Sequence, residues 1–218
     1  MLHSFCVLGI SANNIEVRLG KLFTEKIKHP ERETAQIIQA DNIIIHPQYS
    51  SKRSDYDSDI ALIHLSSDAV YTDYVRPICL PLRKNDEDRF LLKPGNIMVI
   101  AGWGGKKEHG RYLKRLHKVT VPVVEQTLCQ NAYHRRYTVT TNMFCAGYRI
   151  GSLGDACQGD SGGPLAMENS RTPGDDDQRW VLAGVVSWGE GCGRTGKYGV
   201  YTKVPAFTRW INDQINSD

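Results

Sequence analysis

The chain has 218 residues, enough for one domain or two closely packed halves and too few for a string of modules. Apolar residues at 40% and charged residues at 23% are the proportions of a globular chain and exclude a disordered or collagen-like one. Lys and Arg number 27 against 24 Asp and Glu, so the net charge of +3 gives no reason to invoke nucleic acid, and no apolar run approaches the ~20 residues of a membrane span.

The amino-terminal stretch from Met1 to Ile10 has a brief apolar run but neither a basic lead nor a small-residue cleavage site, so no signal peptide is evident. Short β-branched and aromatic runs follow at 15–19, 35–45, 60–65, 97–101, 119–124, 180–188 and 198–204. Gly, Pro and Asp punctuate them, the pattern of an all-β barrel or sandwich. A short helix is expected near 125–135, bearing Cys129. Phe207, Trp210, Ile211 and Ile215 form a helical stripe after Pro205, which predicts a docked carboxy-terminal helix. Polar stretches at 83–88, 104–111 and 168–178 read as surface loops, and Gly102, Gly104 and Gly105 as a turn, since they fit no phosphate-cradling spacing.

Six cysteines without C-x-x-C spacing favour disulfides over zinc, and with them a secreted, oxidising destination. That conflicts with the lack of a signal peptide and suggests that upstream sequence is absent.

The chemistry concentrates in the run Gly154 to Pro164, which reads GDACQGDSGGP. A serine flanked by glycines on a tight turn can present its Oγ while neighbouring amides converge on a carbonyl oxygen. With Asp59-Ile60-Ala61-Leu62, Ala101-Gly102-Trp103-Gly104 and Val186-Ser187-Trp188-Gly189-Glu190-Gly191-Cys192 in the same order, this run resembles the trypsin-like serine proteases over about residues 6–216. The segments around Tyr148 and Tyr198 look most like the clotting-type branch, near prothrombin and protein C.

The resemblance implies one domain over 1–218 made of two six-stranded antiparallel β-barrels. The first, over 1–94, is incomplete; the second spans 95–204, and a helix covers 205–218. It makes Ser161 the nucleophile, Asp59 the residue that orients the base, and the amides of Gly159 and Ser161 the oxyanion hole. It puts Asp155 at the base of a pocket for Arg or Lys, with Gly189, Gly199, Ser187 and Trp188 around it. Protein substrates cleaved after Arg or Lys, and serine protease inhibitors, are the implied partners. It pairs Cys129 with Cys145 and Cys157 with Cys192. Cys6 is then left over, as is Cys79, which would tether a propeptide or light chain. Met98 and Met167 replace a further family disulfide. Tyr198 resembles the sodium-binding loop of clotting-type proteases, a packed tyrosine being the alternative. Lys21 stands where calcium-binding relatives have a carboxylate, so no calcium is expected there.

A serine hydroxyl needs a base, and the family's histidine directly precedes the cysteine that matches Cys6. Here that position is Phe5. His3 is two residues too early, about 7 Å if extended. His46 is expected on a surface segment and His64 within the packed barrel, neither placed to reach Ser161; His29, His109, His117 and His134 complete the seven histidines. The sequence also has no Ile/Val-(Ile/Val)-Gly-Gly start to supply the ammonium that would pair with Asp160, the implied activation partner, so the nucleophile loop should relax.

Two readings follow. The first is an Arg/Lys-directed endopeptidase domain that, as written, is inactive. The second is a non-catalytic module of the same fold, a pseudoprotease with a heparin-like polyanion on Lys106, Lys107, Arg111, Lys114, Arg115 and Lys118, with His134, Arg135 and Arg136 elsewhere.

Overall fold

The computed structural model describes residues 9–24, 31, 34–49, 56–81, 90–134, 136–150, 154–169 and 179–216. The readings of His3, Phe5, Cys6, His29 and Arg135 lie outside these residues. A three-stranded antiparallel sheet is built from β1 (Glu16–Leu19), β2 (Gln36–Ile45) and β3 (Ala61–Leu65), in that order. The second sheet has six strands: β4 (Ile97–Gly102), β5 (His117–Pro122), β6 (Met143–Ala146), β7 (Pro164–Asn169), β8 (Arg179–Trp188) and β9 (Gly199–Lys203). Its order is β5-β4-β7-β8-β9-β6, and every neighbouring pair is antiparallel. Helix α1 (Gln126–Tyr133) precedes β6 and α2 (Val204–Ile215) follows β9.

Burial explains the arrangement. In β8, residues 181–187 are all buried, which suits a continuous apolar run covered on both faces. One face meets Met98, Ile100, Val121, Leu165 and Tyr201 in the interior of the six-stranded sheet. Met98 and Met167 share this cluster, so apolar packing fills the place of the family disulfide. The other face joins Ile60, Leu182, Val185, Val204, Phe207 and Ile211 in a seam between β3, β8 and α2. Ile60 has no exposed surface, and it holds its neighbour Asp59 at the junction of the two sheets.

Several expectations change. β6 and β7 do not appear among the predicted runs; β6 is four residues long and β7 follows the Gly-Gly-Pro turn directly. β5 begins at His117 rather than 119. In α2, Phe207 and Ile211 are buried but Ile215 is 60% exposed, because the helix docks through its first two turns, with Val204, Pro205 and Thr208. His46 is not on the surface: it is 8% exposed, edge-on to Phe207 and Trp210, and burial lowers its pKa. His64 is not inside the barrel: its half-exposed ring meets Asp41 at 2.5 Å.

Candidate active site

Asp59 leads into β3 and is 1% exposed. Its Oδ2 accepts a hydrogen bond from Ser187 Oγ on β8 at 2.7 Å, and its carbonyl accepts one from Thr202 Oγ1 on β9 at 2.7 Å. A buried carboxylate is tenable only with such donors. Just upstream, Tyr56 and Ser58 adopt φ of 48° and 55°, a strained conformation for residues with a Cβ. Between them Asp57 accepts hydrogen bonds from Thr140 Oγ1 at 2.5 Å and Asn142 Nδ2 at 3.2 Å, pinning the turn to the second half of the chain. Nothing local in the sequence signals this clasp.

Ser161 sits on the turn between Gly159 and β7. Gly159 has φ +97° and Gly162 φ +79°, which only glycine adopts readily. Gly162 N–H donates to the Val186 carbonyl and Gly163 N–H to that of Asp160, fixing the turn against β8. Among the described residues the amides of Gly159 and Ser161 have no acceptor, and Ser161 Oγ meets no histidine. The described histidines are engaged elsewhere: His117 Nδ1 and His134 Nδ1 meet the carbonyls of Arg115 and Asn131, and His109 lies beside Glu108.

Asp160 is not left bare. Its Oδ1 accepts from Gly104 N–H at 2.8 Å and its Oδ2 from Cys157 N–H at 3.0 Å. Gly102 and Gly104 prove to be more than a turn: a Cβ on either would lie 2.0 Å or 2.3 Å from an Asp160 carboxylate oxygen. The strand end is glycine because the carboxylate occupies that space. Next to it, Gly102, His117, Asp155 and Asp160 border a cavity of about 320 Å³.

A second cavity of about 280 Å³ runs from Ser161 past Ser187, Trp188, Gly189 and Gly199 to Asp155. Asp155 Oδ2 accepts from Gly193 N–H at 2.8 Å, while Oδ1 is buried without a hydrogen-bond partner among the described residues. Burial pushes its pKa up to about 6, against the opposing pull of the Gly193 and Ala156 amides. The Tyr201 hydroxyl is also buried with no hydrogen-bond partner among the described residues, 2.7 Å from where a Gly199 Cβ would be. Burial, followed by the charges of Asp155 and Asp160, raises its pKa well above the ordinary value. A buried carboxylate oxygen in the wall of this slot, with no partner among the described residues, suits a ligand with a cationic, hydrogen-bond-donating tip.

Cys157–Cys192 joins the two walls of this slot and Cys129–Cys145 ties α1 to β6, with Cα separations of 5.2 and 5.6 Å. Around the mouth, Trp188 packs against Tyr56, Tyr133 and Tyr137, ring centroids 4.8–6.1 Å apart. Glu108 closes the opposite lip and receives Arg194 Nη2 and Nε at 2.6 and 2.9 Å. Neither this ion pair nor the tyrosines could be assigned from the sequence, because their partners come from separate loops.

The Tyr198 carbonyl accepts a short hydrogen bond from the Tyr133 hydroxyl, and Lys197 Nζ reaches both Glu190 Oε2 and the Ala132 carbonyl at 2.8 Å. Lys21 Nζ lies 2.6 Å from Glu31 Oε2, and Glu31 Oε1 accepts from the amides of Leu22 and Phe23. The ammonium and then those amides hold the Glu31 carboxyl below its usual pKa. Cys79 is an exposed free thiol whose backbone bonds to Trp180 and Leu182.

The family model "Trypsin" matches residues 5–211. The chain is 39% identical over 212 residues to "Limulus clotting factor C" of Carcinoscorpius rotundicauda, covering 94% of this chain and 20% of that protein. It is 38% identical over 212 residues to "Clotting factor C" of Tachypleus tridentatus, with the same coverage. The chain thus spans about a fifth of the length of these relatives.

Proposed function

Since this chain belongs to the trypsin family of serine proteases, we propose that its site is that of an endopeptidase directed to bonds after Arg or Lys. The carrying observation is the slot lined from Ser161 to Asp155, a residue whose Oδ1 is buried with no hydrogen-bond partner among the described residues. Ser161 is the nucleophile of this reading. The amides of Gly159 and Ser161 would bind the tetrahedral oxyanion, and Asp59, steadied by Ser187, would orient the imidazole and stabilise its cation. Asp160 would receive a freed α-ammonium from the cavity beside Gly102, reinforcing the two amide bonds that already hold it.

With Phe5 in the place of the base, the 218-residue chain should bind such substrates and not turn them over. Loss of a triad histidine costs roughly six decades in kcat, about 8 kcal/mol of barrier. An Arg p-nitroanilide assay tests this on the purified chain: the reading expects no turnover above background, and a trypsin-like rate would refute the assignment of Phe5.

Other parts of the reading are finer. Sodium is proposed at the loop around Tyr198. Its nearby charges, Glu190 and Lys197, already pair with each other, and among the described residues no cluster of three His, Cys, Asp or Glu could hold a metal ion, so only backbone carbonyls remain as donors. Calcium is not proposed near Lys21, because an ammonium already serves Glu31. Cys79, an exposed thiol with no disulfide partner among the described residues, is proposed to tether an upstream chain. Two disulfides and the clotting-factor relatives support an extracellular setting, and no described helix is long and apolar enough to cross a membrane. The competing reading, a non-catalytic module for a heparin-like polyanion, has the exposed lysines and arginines of 106–118 in its favour. A flat elution from heparin resin at physiological salt would remove it.

A further inference from the structure

We propose that the loop over residues 105–118 is a docking ledge for an acidic polypeptide segment that flanks the residue held in the Asp155 slot. This rests on the protease reading for the identity of the segment as part of a protein substrate.

Within this loop Lys106, Lys107, Arg111, Lys114, Arg115 and Lys118 are all exposed. The stretch has one carboxylate, Glu108, which by sequence alone would offset its neighbours. The structure turns it away, into a two-bond ion pair with Arg194 from the far side of the slot. Among the described residues no carboxylate pairs with Lys106, Lys107, Arg111, Arg115 or Lys118.

The backbone that carries these charges is braced. Leu113 N–H donates to the Trp103 carbonyl at 2.8 Å, Leu116 N–H to that of Leu22 at 2.7 Å, and Thr24 N–H to that of Lys114 at 2.9 Å. A fixed array of like charges gives a strong local field at small ordering cost on binding.

The ledge is continuous with the cleft. Gly105 N–H donates to the Gln158 carbonyl at 3.0 Å, and the 68% exposed ring of Tyr112 lies 2.9 Å from where a Gly159 Cβ would be. An aromatic face beside the nucleophile loop, continued by Lys106, Lys107 and Arg111, which pair with no carboxylate among the described residues, suits a polypeptide better than a sulfated sugar chain. A peptide anchored by its arginine would present acidic neighbours at high effective concentration.

The test uses fluorescein-labelled decapeptides with one arginine, followed or preceded by five Asp/Glu residues, against a neutral control. Fluorescence anisotropy with the purified chain should show at least one acidic peptide binding about tenfold more tightly than the control at 50 mM NaCl. The gap should narrow to about twofold at 500 mM NaCl and vanish in the K106Q/K107Q/R111Q variant. That variant should keep the wild-type affinity for p-aminobenzamidine, which reports the slot and its fold. Equal binding of all three peptides, a preference that survives the triple substitution, or tight binding of a heparin hexasaccharide without any peptide preference would overturn the ledge. If p-aminobenzamidine fails to bind while the acidic preference and its loss in the variant persist, the protease reading falls and the ledge stands.

Discussion

Asp155 carries a stability cost that its proposed role explains. A carboxyl raised from its ordinary 3.8 to about 6 binds more protons in the folded chain than in the unfolded one between those values. Stability attributable to this group therefore falls as pH rises from about 4 to 6 and stays lower above it, by roughly 3 kcal/mol. Asp155→Asn should stabilise the chain by an amount of that order at pH 8 and by almost nothing at pH 4, as read from urea midpoints. Equal stability at pH 8 would contradict the buried, unpartnered environment. Asp155 could be singled out in the sequence because the contiguous segment that carries it with Gly159 and Ser161 resembles the trypsin-like family. Tyr201, whose hydroxyl lies behind Gly199, was not legible: a tyrosine in a β-rich run looks the same whether or not its hydroxyl finds a partner.

At the level of elements, the joints matter most. The carboxylate of Asp160 fills the space beside Gly104, so Gly104→Ala forces a Cβ to within 2.3–2.6 Å of it and must displace the nucleophile loop. Loss of p-aminobenzamidine affinity with little change in far-UV circular dichroism is the expected result; unchanged affinity would contradict this packing. Helix α2 is held by Phe207 and Ile211, both fully or nearly buried. Ile211→Ala should cost about 2–5 kcal/mol in chemical denaturation, whereas Ile215→Ala, at an exposed site, should cost under about 0.5 kcal/mol. The stripe predicted the helix but not where docking stops, since periodicity reports a face and not how far the partner surface extends. The missed β6 has only four residues and β7 opens on a proline directly after a Gly-Gly turn, so both are fixed by pairing with neighbouring strands rather than by a pattern of their own.

Over the whole molecule, the sequence conveyed what is local: the all-β class and the closing helix, while the roles of the nucleophile segment and its pocket aspartate rest on the family resemblance and remain part of the proposal. Contacts between distant segments needed the fold, among them Asp57 with Thr140 and Asn142, Glu108 with Arg194, and Gly102 with Asp160. The Asp57 contacts tie the first half of the chain to the second, the other two join separate segments of the six-stranded half, and all their partners are more than 50 residues apart, beyond the reach of any periodicity. The central claim is that these joints build a slot for a cationic side chain. Fluorescence titration of the purified chain with p-aminobenzamidine tests it most directly. Saturable one-site binding at pH 8, weakening as pH falls below about 6 and lost in Asp155→Asn, is the predicted result; no binding, or binding indifferent to that substitution, would contradict it.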